Sequence, residues 1–208
     1  MADISPLPDE FAARYRGWKE GGFAARRAHF ETLAAEGQSP SMMVIACCDS
    51  RIQATEIFNA EAGDLFIHRN IANLVPPYRP DETAHGASTG AAVEYAVRAL
   101  KVPHLLVLGH SNCGGIENGW RMHAEKSPPE LAYVAAWLDL LRPACESAGD
   151  VGALGKQAIR QSLENLRGFP FVAEAVKSGA LNLHGAWFDI ATGALFALDP
   201  ETGDFIPV

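Results

Sequence analysis

The chain has 208 residues, 48 % of them hydrophobic, and a formal net charge of −8, so it can build one full core but not two generous ones. The acidic balance argues against nucleic acid as the main partner, because phosphate binding relies on clustered Lys and Arg, and a small-molecule role fits better. No run approaches the roughly 18 apolar residues of a membrane span, and the start "MADISPLPDEFAARYRG" lacks the basic-then-apolar order of a secretory signal, so the expectation is a cytoplasmic protein without membrane contact.

Between Asp9 and Gly37, apolar or aromatic residues recur at Phe11, Tyr15 and Trp18, then at Phe23, Phe30 and Leu33. Gly21-Gly22 interrupts them, which predicts two helices joined at a glycine hinge. "MMVIA" (42–46) and "DLFIH" (64–68) are short apolar runs that read as buried strands, with "QATEIFN" as a short helix between them. A Pro-rich loop, "NLVPPYRPDETAH", follows. From Ser88, "STGAAVEYAVRALK" has a helical period with a hydroxyl residue near its start, and "HLLVLG" (104–109) is again a buried strand. Helices are expected near 130–142, 151–167 and 170–178, and "LNLHGAWFDI" and "ALFALD" flanking "ATG" read as a β-hairpin. This strand–helix–strand order is that of one α/β domain with no internal repeat.

Cys47, Cys48, Cys113 and Cys145 read as metal ligands, catalytic thiols or core residues in such a chain, not as a disulfide framework. Cys47 follows "MMVIA" and His110 follows "HLLVLG", and the carboxyl ends of parallel strands share one edge, so the two side chains can be neighbours. In "GHSNCGG", Cys113 comes three residues after His110, a spacing that lets both point to one place. Two thiolates and an imidazole suit Zn²⁺, and three protein ligands leave a fourth position for water or substrate. Asp49 beside them could itself coordinate, but Arg51 offers a competing fork of donors that would hold the carboxylate as an ion pair. A spare lone pair could then accept a hydrogen bond from whatever fills the fourth position. "GASTGAA" is neither G-x-G-x-x-G nor a P-loop, so nucleotide binding has little support.

"CCDSR", "HRNIAN", "STGAAVEYAV" and "GHSNCGG", in this order and spacing, resemble the β-class carbonic anhydrases from about Gln38 to Gly115, with "LHGAWFDIATGAL" supporting the match near the end. The resemblance implies one Zn²⁺ per chain on Cys47, His110 and Cys113, Asp49 and Arg51 as a catalytic dyad, and reversible hydration of CO₂ to bicarbonate and a proton. It implies an α/β fold with a mostly parallel central sheet flanked by helices and a C-terminal antiparallel hairpin, in a single domain over 1–208. Residues 1–37 would be a helical dimerisation arm using Phe11, Trp18 and Phe30, and 38–208 the zinc-binding core, giving a homodimer or a multiple of it.

"GQSPSMMVIAC" and "NLVPPY" resemble the plant-type branch, whose site is open. By that resemblance Gln38, contributed across the dimer interface, lines the CO₂ pocket with Phe66, Ile71 and Tyr95, and the Gly114 amide meets the substrate oxygen. Propensity alone would make Phe66 and Tyr95 core. Val44 stands where the bicarbonate-inhibited branch carries Trp, so no allosteric bicarbonate site is expected. Cys48 replaces the family's usual Ser or Ala and is expected to be a small buried hydrophobe. His68, His85 and His123 are proton-transfer candidates by residue type, Arg69 and Asn70 are expected to fix the loop beyond their strand, and His104 and His184 to be satisfied by neighbours. Two other readings stay open: a zinc hydrolase of carbonyl sulfide or carbon disulfide on the same scaffold, and a non-enzymatic zinc or thiol module at Cys47-Cys48.

Overall fold

The computed structural model describes residues 4–80 and 87–208, so that His85 lies outside the described residues. The chain divides into two compact units, Met1–Gln38 and Ser39–Val208.

In the first unit α1 (Asp9–Trp18) runs on through more widely wound helical turns at Lys19–Phe23, and α2 spans Arg27–Glu36. The break falls at Arg26, with φ −117° and ψ 18°, so Gly21-Gly22 is not the hinge expected from the sequence. The Trp18 ring explains why: a Cβ at Gly22 would stand 3.2 Å from its Cδ1, so the glycine lets the indole lie over a helix that continues. Trp18, Phe23 and Phe30 pack with ring centroids 5.2–6.0 Å apart. Phe11, Tyr15 and Trp18 remain 54, 53 and 43 % exposed.

The second unit carries, in chain order, β1 (Met42–Cys47), α3 (Ala54–Ile57), β2 (Leu65–Asn70), α4 (Ala87–Glu94), β3 (His104–His110), α5 (Gly114–His123), α6 (Ala132–Leu138) and α7 (Arg142–Ser147). It ends with α8 (Val151–Arg167), α9 (Pro170–Lys177), β4 (Asn182–Phe188), β5 (Leu195–Leu198) and β6 (Phe205–Pro207). The six strands form one sheet in the order β2-β1-β3-β4-β5-β6. The first four are parallel, and β5 and β6 are antiparallel additions. Helix α5 and strand β6 had no sequence expectation. The first opens on two glycines, which are poor helix formers, and the second is only 3 residues long.

Alternate residues of β1 and β3 enter two cores, which is why these strands read as unbroken apolar runs. On one face Met43, Ile45, Leu105 and Val107 pack with Val93 of α4, Ile159, Leu163 and Leu166 of α8, and Val172 of α9. On the other, Val44, Ala46, Leu106, Leu108 and Ala186 pack with Ile52 and Ala54. Helix α8 lies close on the sheet because Gly109 and Gly185 face it: a Cβ at either would come within 2.8 or 2.9 Å of Ile159. Asp150 starts α8 by accepting the Ala153 amide at 2.7 Å. The reading of 64–68 as a buried strand is corrected: β2 is an edge strand, half-buried except at Ile67, which is exposed, because it pairs on the β1 side alone. No described helix is long and apolar enough to cross a membrane.

Candidate active site

Strands β1 and β3 are parallel neighbours, and Cys47 and His110 are the last residues of each. Cys113 caps the start of α5 three residues later. The ligating atoms of Cys47, His110 and Cys113 lie within 4.8 Å of one another, and all three residues are buried. The two sulfurs are 3.8 Å apart. Two thiolates at about 2.3 Å from a tetrahedral zinc ion would be separated by about 3.8 Å, so the pair already has the spacing that ion requires.

His110 supplies an independent sign. Its Nδ1 donates to the Ser111 carbonyl at 2.9 Å, which leaves Nε2 as the lone-pair nitrogen, and Nε2 is buried with no hydrogen-bond partner. A buried bare acceptor is costly, and a metal ion satisfies it, so the residues present fit zinc.

Backbone amides support the sulfurs. The amides of Asp49 and Ala72 favour the ionised sulfur of Cys47, and those of Gly115 and Ile116 in the first turn of α5 favour that of Cys113. Ala72 and Asn73 are held at φ 62° and 49°, a left-handed pair whose strain delivers one of these amides to the sulfur. The Cys113 thiol bonded to it, outweighing burial, brings the Cys47 thiol down to about 4. That same bond and burial push the Cys113 thiol up. Without metal the sulfurs therefore share one proton, since two bare thiolates at this distance repel. Burial pushes the His110 ring down, but the Cys47 sulfur and the Ser111 carbonyl, joined by Asp49, outweigh it and raise its pKa.

Arg51 grips Asp49 from two sides, with Nε to Oδ1 at 2.9 Å and Nη2 to Oδ2 at 2.6 Å, while the Arg51 amide also reaches Oδ1 at 2.9 Å. The Arg51 guanidinium holds the Asp49 carboxyl well below the usual carboxylate range. Nη2 also donates to the Asn112 carbonyl at 2.9 Å, which ties the pair to the loop between His110 and Cys113. Asp49 lies two residues after Cys47, and Arg51 is bonded to the residue before Cys113, so the dyad stands beside the ligand cluster.

The family model described as Carbonic anhydrase matches residues 42–195. Beta carbonic anhydrase 3 of Arabidopsis thaliana is 37 % identical over 180 residues, 81 % of this chain and 69 % of that protein. The chain belongs to the β-class carbonic anhydrases. Among solved structures, the beta-carbonic anhydrase CcaA superposes with a TM-score of 0.86 at 31 % identity, covering 96 % of this chain and 98 % of its own. A tetrameric beta-carbonic anhydrase of Sordaria macrospora superposes at 0.76 with 30 % identity, covering 91 % and 95 %. The enzyme therefore uses zinc to hydrate CO₂ reversibly to bicarbonate and a proton, with Cys47, His110 and Cys113 as the metal-binding group.

Other expected site residues divide sharply in this carbonic anhydrase. Ile71 lies beside the cluster: its Cγ2 would be 2.8 Å from a Cβ on Gly115, and its carbonyl accepts from Trp137 Nε1 at 2.8 Å. Gly114 opens α5 with free space around its Cα. Phe66 and Tyr95 stack on each other at 5.8 Å, but Phe66 precedes Asn70, the register partner of Cys47, by four positions, or about 13 Å along a strand. The structure does not bring them to this chain's own metal ligands. Gln38 closes the N-terminal unit.

Cys48 is exposed, which corrects its reading as a buried hydrophobe. Successive side chains at a strand end point to opposite sides, and the one opposite the metal meets solvent here. His68 contacts Thr89 Oγ1 through Nε2 at 3.0 Å, and His123 contacts the Leu138 carbonyl at 3.2 Å from the far end of α5. Neither joins the ligand cluster.

Arg69 does more than the sequence suggests. Its guanidinium donates to the carbonyls of Cys47 at 2.9 Å, Asp49 at 2.7 Å and Ile52 at 2.7 Å, and to Gln53 Oε1 at 3.2 Å. One side chain thus holds the whole loop that carries Cys47, Asp49 and Arg51. Asn70 locks the next turn, donating to the Leu74 carbonyl and accepting its amide, both at 2.8 Å. The signal was "HRN" placed at the end of an edge strand. Behind the ligands, a cavity of about 480 Å³ is bounded by His110, Cys113, Ile116, Gly155 and Trp187.

Proposed function

We propose that Asp49 and Arg51 are the catalytic pair of CO₂ hydration in this enzyme, working in an open, plant-type site. The observation that carries this reading is the Asp49 carboxylate, which stands next to the ligand cluster yet is committed to Arg51 through both oxygens. A carboxylate so held leaves the fourth position of the metal to a small molecule. Zinc, when bound, lowers the pKa of water from about 15.7 to near 7 and so supplies the nucleophile at neutral pH.

Asp49, kept ionised by Arg51, acts only as an acceptor near neutral pH. It takes a hydrogen bond from the nucleophile and turns the attacking lone pair toward the carbon. The Gly114 amide, among the first of α5 and so without an intrahelical acceptor, meets a substrate oxygen. Ile71 gives the pocket an apolar wall.

Phe66, about 13 Å along β2 from the register partner of Cys47, and the half-exposed Tyr95 packed on it line a CO₂ pocket only if a second copy presents them to it. Gln38 has the same role from the arm. A homodimer, or a multiple of it, accounts for that pair and for the exposed Phe11, Tyr15 and Trp18, and the Sordaria macrospora structure is described as tetrameric.

The test is zinc content and stopped-flow CO₂ hydration on one sample before and after chelation, from about pH 6.5 to about 9. About one zinc per chain is expected, with activity that chelation abolishes and that rises with a group ionising near pH 7. Bound zinc without CO₂ hydration would overturn the reading and move the reaction to carbonyl sulfide or carbon disulfide.

A further inference from the structure

We propose that His104 and His184 form a second metal site, separate from the catalytic centre, for a divalent late transition-metal ion that takes its ligands at right angles. The two histidines lie on β3 and β4, parallel neighbours in the middle of the sheet. The register pairs His104 with Asn182 and Leu106 with His184, so both side chains stand on the same face, on adjacent rows. His104 Nδ1 and His184 Nε2 are 3.0 Å apart. The rings are 5.2 Å apart between centroids and tilted by 48°.

An imidazole nitrogen sits about 2.0–2.1 Å from a bound ion, so an ion shared by two nitrogens at the observed separation would see them at about 94°. A tetrahedral centre would need about 3.3 Å between them. Once the rings have turned, the two nitrogens can act as a cis pair on an octahedral, paramagnetic ion such as Ni²⁺, whose ligands stand at right angles. The catalytic cluster differs, because its sulfur separation of 3.8 Å matches a tetrahedron.

Met42 is the register partner of His104 on β1 and shares its face, half-buried, with a thioether available to a softer ion. His184 is exposed, which leaves the remaining positions to water. The side of the His184 ring turned to the sheet loses hydration, and this, with His104 adding to it, pushes its pKa down, so the ring is neutral and ready to ligate at neutral pH. Binding needs only that the proton now between the two nitrogens move to the outer nitrogen of its own ring, and that the rings turn until both lone pairs converge. No proton leaves. His104 and His110 are the two ends of β3, about 20 Å apart, so filling this site leaves the catalytic ligands untouched.

The experiment uses the zinc-loaded enzyme and nickel(II) alone, a probe that does not oxidise the exposed Cys48 thiol. Equilibrium dialysis counts bound nickel and zinc together, and proton NMR looks for paramagnetically shifted imidazole N–H signals. Expected are one nickel per chain beside retained zinc, two shifted ring N–H signals, and affinity weakened by roughly tenfold or more in both His104→Ala and His184→Ala. The CO₂ hydration of both variants checks that they are folded. Three outcomes would each overturn the proposal: no nickel bound, nickel bound equally by both variants, or nickel bound only as zinc leaves.

Discussion

Replacing Arg69 with alanine tests whether one side chain positions the catalytic loop. Its guanidinium makes three hydrogen bonds to main-chain carbonyls, at 2.9, 2.7 and 2.7 Å, and a longer one to Gln53. A hydrogen bond from a charged donor contributes about 1.5–3 kcal/mol, so three taken singly would sum to about 5–9 kcal/mol. They share one side chain and one loop and so do not add, and water reaches part of the freed carbonyls. The expected loss is about 2–4 kcal/mol. Activity should suffer more than stability, because the loop carries both Cys47 and Asp49 and a misplacement of about 1 Å costs about a hundredfold in rate. Arg69→Lys, with a point charge in place of a fork, restores at most the two bonds that a single nitrogen, Nη2, makes to Asp49 and Ile52. Urea unfolding of the zinc-loaded protein gives the first quantity, and stopped-flow kcat/KM on the same sample the second. A variant within about 0.5 kcal/mol of the parent, with unchanged kcat/KM, would refute the positioning role.

Arg51→Ala should keep its zinc while kcat/KM falls on the order of a hundredfold, the cost of removing one preorganised polar group from a catalytic site, as metal analysis with stopped-flow kinetics will show. Asp49 has a folded pKa below its unfolded value, so its stabilising contribution is present above about pH 4 and is lost as pH falls through the folded pKa. In Arg51→Ala the folded pKa moves back toward the unfolded one, so this loss of stability on acidification should shrink, while the shape of the rate profile above about pH 6 stays the same. Cys47→Ser should lose zinc and Cys48→Ser should keep both zinc and activity; the reverse pattern would exchange their assignments. Gly119→Ala would place a Cβ 2.3 Å from Leu141 Cδ1, and Leu141 is fully buried. Overpacking of this kind costs about 1–3 kcal/mol, read as a lower denaturant midpoint with zinc content retained.

The metal cluster was legible because each part of it is local. A ligand at the end of an apolar run, a His and a Cys three residues apart, and a carboxylate two residues before an Arg need only strand direction and loop length to meet, and the structure brings them together as the spacing suggests. Phe66 shows where that reasoning stops. Its residue type and its neighbour Tyr95 suit a CO₂ pocket, yet β2 places Phe66 four positions short of the register partner of Cys47, and no local pattern says which chain's pocket the two rings serve. Cys48 marks the same boundary over a shorter distance. Alternation along β1 decides that only one of two adjacent thiols can face the metal, but whether the other meets a core or solvent depends on what covers that side. Arg69 fails differently: its four acceptors are spread over Cys47, Asp49, Ile52 and Gln53, and they converge only once β2 lies beside β1. The chemistry of the site is thus written in short stretches of chain, and its rigidity in the pairing of strands. A substitution on β2, outside every metal-binding motif, should therefore disturb catalysis as strongly as one in the dyad.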